Sequence, residues 1–407
     1  MRCMVIFMLC GLMAAFGGTT ATIQQAITRE EAAGATIGVY LCPITGPPLL
    51  AHNADRPLCT ASLQKLVTGA AALRYLGPSF RFSTQICLSG RISAGVFNGT
   101  LRLTGAGDPL LSIRQLRPLT SFFNQHGIHT FLGSIQLDDS VFDHEFYPAC
   151  WQGRDGASRI YSRISGLNID HNLYRLRQQA NASPVWFPGL ATGDYRPEKA
   201  TRSEARCYFP PAFALRTICH VLATGGVTYT YAPQSKRQNL LFDHALLSPP
   251  LSDYISQMYH TSDNLTAECL VKKLGPLIGK GTRTAGCIVL HTFLRPFATA
   301  GCTLHDGSGF SRLNRLSARA LALMLCRHDQ RPYLPLAGEP AFCQRFGPPV
   351  PGVRFWFKSG AIYGVRSLAG YAQTASGTYV LVIILNSSRS LSYATIRPLL
   401  EGALSLL

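Results

Sequence analysis

Three short polar patterns, each occurring once, divide the 407-residue chain: Ser62-Leu63-Gln64-Lys65, Ser262-Asp263-Asn264 and Lys358-Ser359-Gly360. A serine and a lysine three positions apart on a helix share a face, so Ser62 and Lys65 can touch. A serine hydroxyl becomes a useful nucleophile once a base removes its proton. A lysine is such a base when burial or a neighbouring cation lowers its pKa. The first pattern alone carries little weight. With 30 serines and seven lysines, chance supplies 30 × 7/407, roughly half a match. Read singly, Ser62-x-x-Lys65 is a helix start with a solvated lysine, Ser262-Asp263-Asn264 an N-cap, and Lys358-Ser359-Gly360 a strand edge and turn. Read jointly and in order, those separate readings become improbable. Ser62 and Ser262 stand 200 positions apart, and Ser262 and Lys358 stand 96 apart.

The remaining pattern suits a folded protein. Apolar residues make up 47% and charged residues 14%, which is ample for a core and excludes a disordered chain. The length suggests two or three domains. Thr36–Leu41 reads as a strand, Ile44-Thr45-Gly46-Pro47 as a turn and Pro48–His52 as the return. A helix is expected from Thr60 to Tyr75, stopped by Gly77-Pro78. Between about 85 and 235 the chain breaks into short β-like runs with Gly and Pro punctuation, Phe97-Asn98-Gly99-Thr100-Leu101 giving a hairpin signal, and Pro211–Leu222 as a helix. Helices are expected again at Pro250–Tyr259, Leu265–Leu274 and Leu316–Arg327. Arg366–Gln373 and Thr378–Asn386 read as a β-hairpin about Ala375-Ser376-Gly377, and Ser392–Leu406 as a final helix. The two ends of the chain thus supply a sheet with helices, and the middle reads as an insertion.

Met1-Arg2 followed by the apolar run Cys3–Phe16 and the small residues to Ala21 reads as a signal peptide over 1–21, with an N-terminal anchor as the alternative. Export would leave 11 of the 13 cysteines in a compartment that permits disulfides, and an odd number leaves at least one thiol free or shared. No Cys-x-x-Cys occurs and His126-x-x-His129 lacks companions, so no metal and no cofactor is expected. Lys plus Arg total 38 against 21 Asp plus Glu, a formal charge of +17. The arginines are scattered, with no basic run interleaved with aromatics, which argues against nucleic acid. The charge suits peripheral contact with an anionic membrane or envelope polymer instead.

The three patterns together resemble the signature of penicillin-binding proteins and serine β-lactamases. More closely, the chain resembles the penicillin-binding protein 4 type, the low-molecular-mass class C D-alanyl-D-alanine carboxypeptidases/endopeptidases. Arg81-Phe82-Ser83-Thr84, Gly105-Ala106-Gly107-Asp108-Pro109, Leu137-Asp138-Asp139-Ser140-Val141-Phe142, Asp306-Gly307-Ser308-Gly309-Phe310-Ser311-Arg312, Pro335-Leu336-Ala337-Gly338 and Leu368-Ala369-Gly370-Tyr371 also look like segments of that family. The resemblance covers most of the chain and is poor from about 150 to 205. It implies an α/β (α+β) fold: an antiparallel sheet with flanking helices and a helical lobe. Residues 22–84 plus 236–407 would form the catalytic domain, and 85–235 a β-rich insertion between the first two motifs.

The resemblance implies roles as well. Ser62 would be acylated by the penultimate D-Ala carbonyl, Lys65 would take its proton, Ser262 would relay a proton to the leaving amine, and Asn264 would orient Lys65 and the substrate amide. Lys358 and Ser359 would hold the terminal carboxylate, with Gly360 and Ala361 on the edge strand beside the oxyanion. Asp138, Phe142 and Arg312 match positions that line the cleft in relatives, and Tyr363 stands where relatives often carry another residue. The implied partners are peptidoglycan stem peptides and, as covalent inhibitors, β-lactam antibiotics, and the implied location is the periplasm. Two alternatives stand beside this. A serine β-lactamase would want the Glu-x-x-x-Asn of class A enzymes, which none of the eight glutamates supplies. An inert wall-binding relative would be expected to have lost one of the five catalytic candidates.

Overall fold

The computed structural model describes residues 22–151, 162–179, 182–187, 204–207, 209–233 and 239–407, and the expected leader at 1–21 lies outside them. The two ends of the chain meet in one five-stranded antiparallel sheet. Its order is Arg354–Ile362, Val365–Thr374, Gly377–Ser387, Ala35–Pro43 and Leu50–His52. The expected C-terminal hairpin forms about Ala375-Ser376, with Thr374 opposite Gly377. Val380–Leu385 is fully buried on alternate sides, because both faces of the sheet are covered.

One face is covered by the N-terminal helix (residues 22–32) and Arg397–Leu404. These two helices touch at Gly402, where a Cβ would lie 2.9 Å from the Ile23 Cα. The other face carries the helical lobe: Gln64–Leu76, Leu251–Thr261, Asn264–Leu274, Arg283–Leu294 and Ala318–Arg327. The serine-bearing helix sits at the centre of this lobe, with every residue from Gln64 to Ala72 buried. It passes close to Leu251–Thr261 at Gly69, where a Cβ would be 2.0 Å from the Tyr259 hydroxyl oxygen. Tyr259 is itself buried and donates to the Gln330 side chain, whose amide donates to the Leu66 carbonyl at 3.1 Å.

The segment between the first two motifs forms a second sheet, ordered Leu240–Leu247, Ser83–Ser93, Val96–Thr104, Thr130–Asp138 and Thr228–Tyr231. Its last three strands run parallel, so each of the two connections between them needs a crossover helix. Arg117–Gln125 and Pro210–Thr224 supply them and pack their apolar residues on the sheet. The strand Leu240–Leu247 lies past residue 235, where the insertion was expected to end, and pairs with Ser83–Ser93. A small third sheet joins Ala182–Phe187, Leu173–Gln179 and Glu204–Arg206.

One local expectation is corrected. Asn98-Gly99 is not a turn but the middle of the strand Val96–Thr104, and the hairpin turns at Ala94-Gly95. Gly99 is there for close approach instead: a Cβ would lie 2.2 Å from the Ser89 carbonyl oxygen on the neighbouring strand. The eleven cysteines from Cys42 to Cys343 are all free thiols. Among the described residues no helix is long and apolar enough to cross a membrane.

Gly69→Ala tests the packing that carries the serine helix. Alanine favours a helix over glycine by about 1 kcal/mol, yet here its methyl collides with a buried ring. The expected net effect is a loss of about 1–3 kcal/mol in urea or thermal unfolding. A gain in stability would mean that Tyr259 is free to move aside.

Candidate active site

Ser62 lies in a single 3-10 turn, Ala61–Leu63, directly before the helix Gln64–Leu76. Ala61 is buried and in the left-handed region at φ 47°, a conformation that costs a non-glycine residue of order 1 kcal/mol and recurs at functional sites. Thr60, expected to cap this helix, makes no capping bond; its carbonyl accepts from the Ser367 hydroxyl at 2.6 Å. Lys65 is one turn on, fully buried, and not the solvated lysine of the simplest sequence reading. Its Nζ lies 3.1 Å from Ser62 Oγ, 2.7 Å from Asn264 Oδ1 and 2.7 Å from the Ser308 carbonyl oxygen. All three acceptors are neutral. Burial lowers the Lys65 pKa to about 8, against the opposing pull of Asp306, Asp263 and Glu268. At pH 7 a pKa of about 8 leaves roughly one amine in ten unprotonated, against roughly one in three thousand at the ordinary value.

The second motif joins two helices. Ser262 ends Leu251–Thr261 in a left-handed conformation at φ 59°. Asp263, not Ser262, caps the next helix, accepting from the Leu265 and Thr266 amides at 3.3 and 2.9 Å. The Ser262 hydroxyl is thereby left for the crevice, where it accepts from Lys358 Nζ at 3.0 Å. Asn264, the first helical residue, turns its carbonyl oxygen to Lys65.

The third motif lies on the edge strand Arg354–Ile362. Lys358 is 3% exposed and its Nζ also reaches the Ser359 carbonyl at 2.9 Å. Its pKa is held well below the ordinary lysine value by burial, then by the Lys65 and Arg345 cations. Lys272 makes the contrast: it is equally buried, but bonded to the Asp143 carboxylate. Gly360 allows the edge strand to lie against the serine turn. A Cβ there would be 2.7 Å from the Thr60 carbonyl oxygen and 2.9 Å from the Ser62 amide nitrogen.

Ser62, Ser262, Asn264, Ser359 and Ala361 line one cleft of about 410 Å³, with the two lysines behind them. The other predicted residues lie outside that wall. Asp138 ends its strand and accepts from the Ser140 amide and hydroxyl at 3.1 and 2.6 Å, which lowers its pKa. Phe142 is buried in the apolar cluster that also holds Ala61, Trp151 and Phe310, its ring against Gly107. Arg312 donates to the Tyr363 carbonyl, which ties these two residues together at the turn after the edge strand.

Several residues to which the sequence assigns no site role also belong here. Arg345, Arg366 and Tyr393 line the cleft, and so does Phe310 of the family-like segment Asp306–Arg312. Beneath it, Asp306 anchors the Asp306–Ser311 loop. Its carboxylate accepts from the Gly309 amide at 2.7 Å, the Ser311 amide at 2.6 Å, Asn314 Nδ2 at 2.7 Å and Trp151 Nε1 at 2.8 Å. Glu268 supports the same loop from the helix Asn264–Leu274, accepting from the Gly307 and Ser308 amides at 3.0 and 2.8 Å. It is fully buried, and burial together with the Asp306 charge pushes its pKa up to about 8. Glu268 thus positions the Ser308 carbonyl that Lys65 bonds. The arrangement has the parts for acyl transfer: a hydroxyl, an amine of lowered pKa beside it, a second hydroxyl–amine pair facing the same cleft, and backbone amides at the serine turn. Among the described residues no cluster of His, Cys, Asp and Glu is placed to hold a metal.

The model of the D-Ala-D-Ala carboxypeptidase 3 (S13) family matches residues 19–186 and 193–402. A D-alanyl-D-alanine carboxypeptidase of an Actinomadura species is 27% identical, over 87% of this chain and 78% of the relative. The D-alanyl-D-alanine carboxypeptidase DacB of Haemophilus influenzae is 25% identical, over 88% of this chain and 86% of the relative. The crystal structure of penicillin binding protein 4 (dacB) from Haemophilus influenzae superposes with a TM-score of 0.70 at 22% identity, covering 94% of this chain and 97% of that one.

Glu268→Gln keeps an acceptor for the two loop amides and removes the negative charge. Loss of a nearby anion disfavours the Lys65 cation, so the Lys65 pKa must fall further. The rising limb of the acylation-rate profile is expected near pH 8 in the wild type, shared by the Lys65–Glu268 pair, and is expected to move to lower pH in the variant. An unmoved limb, or one moved to higher pH, would show that Glu268 does not bear on the base.

Proposed function

The chain belongs to the D-Ala-D-Ala carboxypeptidase 3 (S13) family, and on that footing we propose that it is a serine D-Ala-D-Ala carboxypeptidase and/or D,D-endopeptidase acting on peptidoglycan stem peptides, with Ser62 as nucleophile. The observation that carries this reading is the bond between Ser62 Oγ and a buried, easily deprotonated Lys65 amine, with Ser262 and Lys358 facing the same cleft. Neutral Lys65 takes the Ser62 proton as Oγ attacks the carbonyl of the penultimate D-Ala. The Ser62 and Ala361 amides stabilise the oxyanion, for which the close fit at Gly360 supplies the approach. Ser262 gives its hydroxyl proton to the leaving amine and takes one from Lys358, which acts here as the ammonium. Water then attacks the acyl carbonyl and gives its proton through Ser262 back to Lys358, while the Lys65 ammonium returns its proton to Ser62 Oγ as the ester bond breaks. A β-lactam is attacked by the same route and stays bound as the acyl adduct.

The wider setting follows from this substrate. Peptidoglycan lies outside the cytoplasm, so residues 1–21 act as the export signal and the periplasm is the place of action. The +17 charge favours peripheral contact with anionic envelope surfaces. The five-stranded antiparallel sheet built from the two ends of the chain serves with its helices as the catalytic unit, and the inserted sheet, which takes in Leu240–Leu247, serves as a flanking module.

Labelling with a fluorescent penicillin tests the nucleophile. The wild type is expected to label. Ser62→Ala abolishes the label, and Lys65→Ala reduces it by a factor of 10³ or more, the scale of losing both general base and nucleophile activation. A labelled Ser62→Ala protein would refute the reading. Ser359→Thr keeps the hydroxyl and is expected to keep at least half the wild-type rate; a tenfold loss would show that the third motif packs differently around its hydroxyl.

A further inference from the structure

The acyl-transfer chemistry uses no cysteine, yet two thiols meet away from the cleft. Cys42 is the penultimate residue of the strand Ala35–Pro43, and Cys326 the penultimate residue of the helix Ala318–Arg327. Their sulfurs lie 3.7 Å apart on the side where the helical lobe packs on the sheet. Among the described residues no other two cysteine sulfurs are in hydrogen-bond contact: Cys87 turns to Asp243, Cys150 to the His305 carbonyl and Cys343 to the Gly338 carbonyl. Cys42 is 2% exposed, whereas Cys326 is half-buried and so open to a small reagent. The hydrogen bond from the Cys42 thiol lowers the Cys326 pKa and pushes that of Cys42 up, which places the thiolate on the accessible sulfur. The chain around Cys326 also bears on the site. The Tyr371 hydroxyl donates to the Leu325 carbonyl at 2.9 Å and accepts from the Gln330 amide at 3.0 Å, and the Gln330 side chain holds the Leu66 carbonyl of the serine helix.

We propose that Cys42 and Cys326 are a disulfide site, oxidised by a disulfide donor, and that the bond clamps the end of the helix Ala318–Arg327 to the sheet. A disulfide needs its sulfurs about 2.05 Å apart. The two thiols already converge, and each stands one residue from the end of its element, where small rotations bring the sulfurs together. The exchange balances without a further reactant. The Cys326 thiolate attacks one donor sulfur, breaks the donor S–S bond and releases one donor thiolate, leaving a mixed disulfide. The Cys42 thiol then loses its proton and attacks the Cys326 sulfur, releasing the second donor thiolate. The released thiolates take up the protons that the cysteines lose, so two protein thiols are oxidised and one donor disulfide is reduced to two thiols. The ring so closed runs from Cys42 to Cys326 and takes in Ser62 and Ser262. A cross-link over so long a stretch restricts the unfolded chain strongly. Neither cysteine lines the cleft, so the assignment stands apart from the peptidase reading.

The test incubates the purified full chain with a mixture of oxidised and reduced glutathione, blocks the remaining thiols with iodoacetamide and maps the peptides by mass. The expected result is a pair of peptides joined through Cys42 and Cys326, two hydrogens lighter than their sum, that separates on reduction. Oxidation is expected to raise the Tm by roughly 2–8 °C over the reduced protein. Cys326→Ser, at a half-buried position, is expected to abolish both the joined pair and the redox difference in Tm. Wild-type protein in which Cys42 and Cys326 are both alkylated, or in which either is joined to another cysteine or retains glutathione, overturns the site. A joined pair with an unchanged Tm overturns the clamp. Neither readout measures turnover, so either failure leaves the peptidase reading in place.

Discussion

Two lysine amines buried in one crevice, with no carboxylate among the described residues bonded to either, are the condition on which the rest of the site depends. Taking an ammonium out of water is costly unless it is paired, and the usual response is a lowered pKa. Lys272 takes the other course, buried beside Asp143. Lys65 and Lys358 are surrounded by hydroxyls, an amide oxygen and main-chain carbonyls. Neutral acceptors hold the amines in place without fixing their protons. That is what a group that must take and return a proton requires. Each lysine is oriented toward a serine, and the two serines open onto the same cleft.

The surrounding fold reads as the support for this arrangement. Three chain segments separated by 200 and 96 positions must meet within hydrogen-bonding distance, and each approach is purchased by a small residue or an unusual backbone conformation. Gly360 brings the edge strand against the serine turn, Gly69 lets the serine helix close on Tyr259, and Gly309, at φ 78°, sits where a Cβ would be 1.8 Å from the Ala61 carbonyl oxygen. Ala61 and Ser262 occupy left-handed conformations at the two serine motifs. The carboxylates act at one remove. Asp263 caps a helix, Asp306 gathers four N–H donors around its loop, and Glu268 holds that loop's turn. Their negative charge tempers the desolvation of Lys65 without bonding it, which keeps its pKa near 8 and not far lower.

Much of this was legible in the sequence, and the parts that were not share a cause. The Ser62–Lys65 pairing follows from helix geometry, and the convergence of the three motifs follows from the family resemblance that their order carries. The C-terminal hairpin and most lobe helices followed from periodicity and from Gly and Pro punctuation. Asn98-Gly99 misled because a dipeptide that favours a turn also serves where strands crowd together, and Gly99 is needed for the second reason. Leu240–Leu247 escaped the insertion because its pairing with Ser83–Ser93 joins positions more than 150 apart. Arg345 and Glu268 carried no motif: one is an arginine among 31, the other a glutamate in an ordinary helix. Only their neighbours distinguish them, the cleft wall for Arg345 and two loop amides beneath Ser308 for Glu268.

The most direct measurement is a crystal structure of the protein after reaction with a penicillin. The account predicts continuous density from Ser62 Oγ into the opened lactam, its carbonyl oxygen within hydrogen-bond reach of the Ser62 and Ala361 amides, and Lys65 Nζ still about 3 Å from Oγ. An adduct on another residue, or a Ser62 adduct whose carbonyl points away from both amides with Lys65 withdrawn, would contradict it.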